Sequence, residues 1–138
     1  MTYASTDYGY ILMLEPGDEL IRCLIQFARE QEVDAAVVTG IGSVSEVELG
    51  AGGERERDQR RSIVTEPLDA CSLTGTVTLL DGEPFPHLHG CFARADHSVI
   101  GGHVFQALCD GALEIAVQVT EPIMAGALAR LPMHRMQS

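Results

Sequence analysis

The spacing of three histidines constrains the local fold of this chain more than any other sequence feature. Successive side chains of a β-strand point to opposite faces, so His87 and His89 project from the same face, with Cα atoms about 6.6 Å apart. After a polar stretch centred on Asp96, the chain resumes an apolar run that contains His103. This pattern predicts a β-hairpin. If the hairpin is symmetric about Asp96, His89 and His103 face each other at about 4.5–5.5 Å between Cα atoms.

The register of this hairpin decides whether the three imidazoles converge. A β-bulge at Gly101-Gly102 would shift the pairing by one residue and turn His103 to the opposite face. In the symmetric register, His87, His89 and His103 share a face. The sequence then predicts a metal site, with a purely structural histidine cluster as the alternative. The two remaining histidines, His97 and His134, are interpreted as surface side chains.

Length and charge exclude several classes of protein. With 138 residues the chain is long enough for one domain with a genuine core. Its net charge is −11, with nine arginines and no lysine. Because nucleic-acid affinity rests on cationic side chains that displace counterions, DNA or RNA binding by this chain alone is not expected.

The apolar pattern predicts neither a membrane span nor a secretory signal. No uninterrupted apolar run approaches the roughly 20 residues that cross a bilayer. The first eight residues lack the basic and apolar regions of a signal peptide. We therefore expect a cytoplasmic protein without membrane contact and without structural disulfides.

The four cysteines, at positions 23, 71, 91 and 109, form no Cys-x-x-Cys pair. Most are predicted to be small buried side chains. Cys91 shares strand parity with His87 and His89, so it is either a further metal ligand or a packing residue.

A second polar feature is the arginine- and glutamate-rich segment 52–61, which holds four of the nine arginines. Because acidic residues lie among them, the segment is interpreted as a solvated loop, with anion binding as the alternative.

Periodicity predicts a sheet packed with one long helix. Apolar residues recur at helical spacing from Asp18 to about Gln31, with Asp18 and Glu19 at the positive end of the helix dipole. Short apolar or alternating runs predict strands over residues 10–14, 35–41, 44–49, 62–65, 70–80, 87–93, 99–105 and 112–120. In the strand over 70–80, Cys71, Leu73 and Val77 are expected to face inward. The prediction is a single α+β domain with a mainly antiparallel sheet of seven or eight strands.

Several motifs, in this order, resemble one family. They include Glu15-Pro16-Gly17-Asp18-Glu19-Leu20, Val38-Thr39-Gly40-Ile41-Gly42-Ser43-Val44, Glu66-Pro67-Leu68 with Ser72-Leu73-Thr74-Gly75, the segment from Asp81 to His89, and Gly101-Gly102-His103. The chain resembles the PPC domain, also called PCC or DUF296, in its stand-alone prokaryotic form. On this basis residues 10–120 are the PPC-like domain, 1–9 an N-terminal lead-in and 121–138 a C-terminal tail, in which 123–131 form a short helix or a loose tail.

The resemblance implies an α+β fold, a homotrimer, and a histidine trio that is associated with zinc in prokaryotic relatives and is matched here by His87, His89 and His103. The expected function is a homotrimeric zinc-binding domain without an assigned biochemical role. One alternative is a small-molecule zinc hydrolase or lyase, for which Glu83 and Glu114 are the nominated carboxylates. The other is a DNA-associated regulator, as the family's label suggests. No Arg-Gly-Arg-Pro DNA-binding motif is present, and an unidentified small molecule is a further candidate partner.

Overall fold

The computed structural model describes residues 1–53 and 58–120, which form six β-strands and one α-helix. In chain order these are β1 (Thr2–Thr6), β2 (Gly9–Leu14), α1 (Leu20–Glu30), β3 (Ala36–Ala51), β4 (Arg60–Leu80), β5 (Glu83–Ala93) and β6 (Val99–Val119). Every strand pair is antiparallel. The prediction of an α+β domain with a mainly antiparallel sheet and one long helix is therefore confirmed.

The strands follow the order β1-β2-β6-β3-β4-β5, and β5 also pairs with β6. Strands β3, β4, β5 and β6 consequently form a closed ring of hydrogen-bonded neighbours. Strand β6 is long enough to pair with two different strands along its length: its first residues pair with β5 and its last residues pair with β2. The closed ring separates an inner face, which holds the core, from an outer face.

The described residues contain six strands rather than the predicted seven or eight, because long strands bend without ending. The predicted strands over 35–41 and 44–49 belong to one strand, β3, and β4 and β6 each combine two predicted strands in the same way. Gly42, which falls between two of the predicted strands, has a φ of 148° and sits between register shifts within β3. A β-bulge of this kind adds a residue and bends the strand while the ladder continues.

The two ends of the chain add one unpredicted strand and one undescribed segment. Strand β1 pairs along its whole length with β2, and all five of its residues are exposed. Without a buried face, this strand carries no alternation of apolar and polar residues that could have identified it. The predictions for the tail, 121–138, and its segment 123–131 lie outside the described residues. No helix among the described residues is long and apolar enough to cross a membrane.

Helix α1 confirms the predicted amphipathic segment and closes one side of the core. It buries Leu20, Leu24, Phe27 and Ala28. The strands contribute the rest of one continuous apolar cluster, which includes Leu12, Val38, Leu73, Leu88, Phe92 and Ile115. Burying a large apolar side chain stabilises a fold by about 1.5–3 kcal/mol, so this cluster is the main source of stability.

Glu19 joins the start of α1 to the sheet. As the N-cap residue, its carboxylate accepts hydrogen bonds from the backbone N–H groups of Ile21 and Arg22, at 3.0 and 2.9 Å. It also accepts one from the N–H of Ala107 in β6, at 3.2 Å. One side chain therefore satisfies two free donors of the helix and one donor of the sheet.

Replacing Glu19 with alanine is expected to lower the free energy of unfolding by about 2 kcal/mol, because a helix cap and an inter-element hydrogen bond are both lost. Urea denaturation followed by circular dichroism measures the change. Glu30→Ala is the matched control, since Glu30 makes one exposed hydrogen bond to Gln26, and its effect should stay within about 0.5 kcal/mol. Equal effects of the two substitutions would contradict the role assigned to Glu19.

Candidate metal centre

The β5–β6 hairpin has the symmetric register that the sequence predicts. His89 pairs with His103, Gly90 with Gly102 and Cys91 with Gly101, and no register shift interrupts this ladder. In the turn between the strands, the backbone N–H of Arg94 donates to the carbonyl of Ser98, and the N–H of His97 donates to the carbonyl of Arg94. The Asp96 carboxylate also accepts from both the N–H and the hydroxyl of Ser98. The bulge at Gly101-Gly102 that would have reversed His103 is therefore not found in this hairpin.

The hairpin brings His87, His89 and His103 together. One ligand nitrogen from each imidazole lies within 4.8 Å of the other two. The ring centroids are 5.0 to 5.5 Å apart. His87 and His89 are exposed, whereas His103 is 3% exposed. The cluster therefore has one anchored imidazole at its base and two that face solvent.

This donor set fits a transition-metal ion. In a tetrahedral zinc site with bonds of 2.0–2.1 Å, neighbouring ligand nitrogens lie about 3.4 Å apart. The separations here are all within 4.8 Å, so they exceed that value by no more than about 1.4 Å. Imidazole nitrogens suit zinc, copper, iron and nickel, and not the hard ions magnesium and calcium.

An aromatic ring supports the buried histidine. The ring centroid of Phe105 lies 4.3 Å from that of His103, and the guanidinium carbon of Arg61 lies 3.5 Å from the Phe105 centroid. Packing of this kind restricts the rotation of an imidazole and so orients it for a ligand. Neither residue was predicted from the sequence to support the histidines. The strand parity that Phe105 shares with His103 was an available signal, whereas the contact with Arg61 depends on the pairing of distant strands.

The close approach of β3 and β6 beneath His103 depends on two glycines. A Cβ atom on Gly102 would lie 2.4 Å from the carbonyl oxygen of Gly50. A Cβ atom on Gly50 would lie 2.5 Å from the Phe105 ring and 2.4 Å from the Gln59 side chain. Real Cβ atoms do not approach so closely. Gly102 therefore allows β6 to lie close to β3, and Gly50 leaves the space in which Phe105 packs against His103.

The cysteine predictions need correction. Only Cys109 is buried; Cys23 is half-buried, and Cys71 and Cys91 are exposed. Cys71 was expected to face inward with Leu73 and Val77, but the register of β4 shifts between Ala70 and Ser72. A bulge inserts one residue, so the positions that face the core are even-numbered before it and odd-numbered after it. Cys71 is therefore exposed, while Leu73 and Val77 are buried.

Cys91 is exposed and is not grouped with the three histidines. The group of residues that could hold a metal among the described part of the chain contains the three histidines without Cys91. Exposure also excludes a packing role in the core.

The two nominated carboxylates also lie outside the histidine group. Glu83 is engaged by Arg29 of α1, with a guanidinium nitrogen 2.6 Å from its carboxylate. Glu114 lines a groove on the outer face of the sheet, of about 520 Å³, together with Thr39, Ile41 and Thr74. Thr74 is the cross-strand partner of His89, so this groove lies beside the row of residues that carries the histidines.

The arginine-rich segment is only partly loop. Residues 54–57 lie outside the described part of the chain, and the interpretation of a solvated loop is not tested there. Arg60 and Arg61 belong to the start of β4. Arg61 is half-exposed and lies 3.5 Å from a carboxylate oxygen of Glu48, in addition to its contact with Phe105.

The family model of the Plants and Prokaryotes Conserved (PCC) domain matches residues 1–121. No functionally curated protein matches the chain significantly.

Solved structures with the same fold include three similar proteins. A metal-containing protein from Archaeoglobus fulgidus is 30% identical, with a TM-score of 0.74, and the match covers 86% of this chain and 84% of that one. A candidate DNA-binding protein from Ralstonia eutropha is 26% identical, with a TM-score of 0.81 and coverage of 87% and 83%. A plant- and prokaryote-conserved protein from Pyrococcus horikoshii is 24% identical, with a TM-score of 0.79 and coverage of 89% and 85%.

Proposed function

The chain belongs to the Plants and Prokaryotes Conserved (PCC) domain family, and on that premise we propose that it is a homotrimeric protein that binds one zinc ion per chain through His87, His89 and His103. The observation that carries the proposal is the convergence of three imidazole nitrogens within 4.8 Å of one another. The 30% identical protein from Archaeoglobus fulgidus, which is named as metal-containing, supports it.

Zinc is proposed because of the number and exposure of the ligands. Zinc sites that retain an open coordination position have three protein ligands, and three histidines are one such set. The exposure of His87 and His89 leaves room for a fourth ligand from solvent or from a small molecule. A closed structural zinc site would need a fourth protein ligand, and the described residues place none in the group.

The homotrimer is proposed from the family resemblance, and the outer face of the sheet supports self-association. Ile11 of β2 and Val37 and Ile41 of β3 are 37%, 42% and 57% exposed on that face, where β6 lies between the two strands. Apolar side chains grouped in this way on a surface are typical of protein contacts.

Native mass spectrometry of tag-free protein tests the metal and the assembly together. We expect a trimer with about one zinc per chain, and a zinc-free trimer for His89→Ala, because loss of one of three ligands removes most of the affinity. His97→Asn is the matched control: His97 is exposed at a φ of 66°, a conformation that asparagine tolerates, and this variant should keep its zinc. Wild-type protein that stays metal-free after zinc is supplied would refute the metal proposal, and a monomeric mass would refute the trimer.

A small-molecule hydrolase or lyase is the second candidate function, and the groove that contains Glu114 and Thr74 favours it. A zinc ion with an open position would supply Lewis-acid polarisation and a water of lowered pKa. The groove would bind and orient the substrate beside the histidines, and Glu114 would be the carboxylate of the groove that moves a proton.

If this second function is correct, a screen of small esters, amides and hydroxy acids will show an activity that His89→Ala abolishes while the trimer persists. Glu114→Gln should lower the same activity at least tenfold, because a carboxylate that accepts a proton is replaced by an amide that does not. Glu83→Gln is the control, since Glu83 is held by Arg29. Equal activity in wild type and His89→Ala would assign the turnover to another source.

DNA association by this chain alone is not proposed, although the relative from Ralstonia eutropha is named as a candidate DNA-binding protein. The net charge of −11 opposes binding to a polyanion. Of the described arginines, Arg29, Arg61 and Arg94 each lie within 4.0 Å of a glutamate, which reduces the positive surface further.

A salt titration with duplex DNA checks this expectation. Fluorescence anisotropy should show no binding at low ionic strength, where electrostatic attraction is screened least. Binding that weakens steeply as salt is added would contradict the expectation and favour the regulatory function.

A further inference from the structure

A bulge in β4 places two exposed cysteines opposite each other on the outer face of the sheet. Ser72 pairs with Cys91 of β5, Ala70 pairs with Phe92, and Cys71 is the extra residue between those two pairs. In a β-bulge, two residues of one strand oppose a single residue of its partner. Cys71 and Ser72 therefore both face Cys91, and all three are exposed.

We propose that Cys71 and Cys91 form a reversible disulfide, which makes this part of the β4–β5 ladder a redox modification site. Directly opposed residues of antiparallel strands have Cα atoms about 4.5–5.5 Å apart. A residue in a bulge opposes the same partner, so the register brings Cys71 into the range of about 4.4–6.8 Å that a disulfide spans. The proposal is independent of metal binding by the histidines.

The surroundings of both sulfur atoms allow the bond to form. The Cys71 thiol donates a weak hydrogen bond to the carbonyl oxygen of Asp69, with a sulfur–oxygen distance of 3.5 Å, which side-chain rotation breaks at little cost. The Cys91 sulfur lies beside Gly101 of β6, on the side of β5 opposite to β4. Rotation about χ1 of Cys91 is therefore needed to bring the sulfur towards Cys71, and Gly101, which has no side chain, leaves room for that rotation.

The other two cysteines are protected from the same chemistry. Burial raises the pKa of the Cys23 thiol to about 11. The Cys109 side chain is buried, and burial also raises its thiol pKa. Since the thiolate is the reactive form, both should react more slowly than the two exposed thiols.

A low-molecular-weight disulfide, such as oxidised glutathione, is the oxidant that the reaction requires. One protein thiolate attacks a sulfur of the oxidant, which forms a mixed disulfide and releases one small thiolate. The second protein thiolate then attacks the protein sulfur of that mixed disulfide and releases the other small thiolate. Two protein thiols are oxidised by two electrons in total, and one small disulfide is reduced to two thiols. In a reducing compartment such a bond is transient, which distinguishes it from a structural disulfide.

Mass spectrometry of the full-length protein after treatment with oxidised glutathione tests the proposal. We expect the denatured wild-type chain to remain a monomer and to lose the mass of two hydrogen atoms, and dithiothreitol to restore them. Trypsin leaves both cysteines on one peptide, residues 62–94, because no arginine lies between them. A further cleavage at Asp81 or Glu83 should yield two fragments that separate only after reduction.

Single cysteine-to-serine variants show which two cysteines form the disulfide. Cys71→Ser and Cys91→Ser should each carry one glutathione on the remaining exposed cysteine, since the internal attack is no longer available. Cys23→Ser should behave like the wild type. Wild-type protein that carries glutathione on Cys71 and Cys91 separately, forms a bond between chains, or reacts at neither cysteine would overturn the proposal. Because these outcomes are read from wild-type protein, they do not depend on whether the variants fold.

Discussion

The pairing of β5 with β6 is the interaction on which the rest of the structure depends. It is the contact that closes β3, β4, β5 and β6 into a ring, so it separates the apolar core from the outer face. The same ladder sets His89 directly opposite His103. A shift of one residue would turn every later side chain of β6 to the wrong face, which would expose core residues such as Val104 and bury polar ones. The core and the histidine cluster therefore enforce the same register.

The histidine cluster combines one buried, tightly packed imidazole with two exposed imidazoles. His103 is held between strands that approach closely at Gly50 and Gly102, and Phe105 packs against its ring. His87 and His89 stand on the exposed side of β5. A rigid ligand limits the entropy lost when an ion binds, whereas exposed ligands allow an ion and a further ligand to enter. This division suits a site that takes part in binding or chemistry better than one that only stabilises the fold.

Strand β5 carries two kinds of side chain that can bind metals or be oxidised, histidine and cysteine. His87, His89 and Cys91 occupy every second position of β5, so all three lie on its exposed side. The bulge of β4 brings Cys71 to the same side. The histidines provide nitrogen donors and the cysteines provide thiols, yet the two groups are separate in space, since Cys91 is not part of the histidine group. The outer face therefore carries the histidine cluster and the two exposed cysteines as neighbours, and Cys71, Thr74 and Glu114 line one groove on this face.

The sequence by itself determined the elements whose periodicity is local: helix α1, the hairpin register about Asp96 and the convergence of the three histidines. Each follows from a fixed period of 3.6 or 2 residues, which short stretches of sequence display. Only the tertiary structure decided where a bulge reverses that period, as at Cys71, and where predicted strands join, as at Gly42. It also decided which distant side chains support the site, as Arg61 and Phe105 do. An inserted residue in a ladder is defined by its partner strand, and a contact between strands far apart in sequence arises only when the sheet closes, so neither is encoded in any single stretch of the chain.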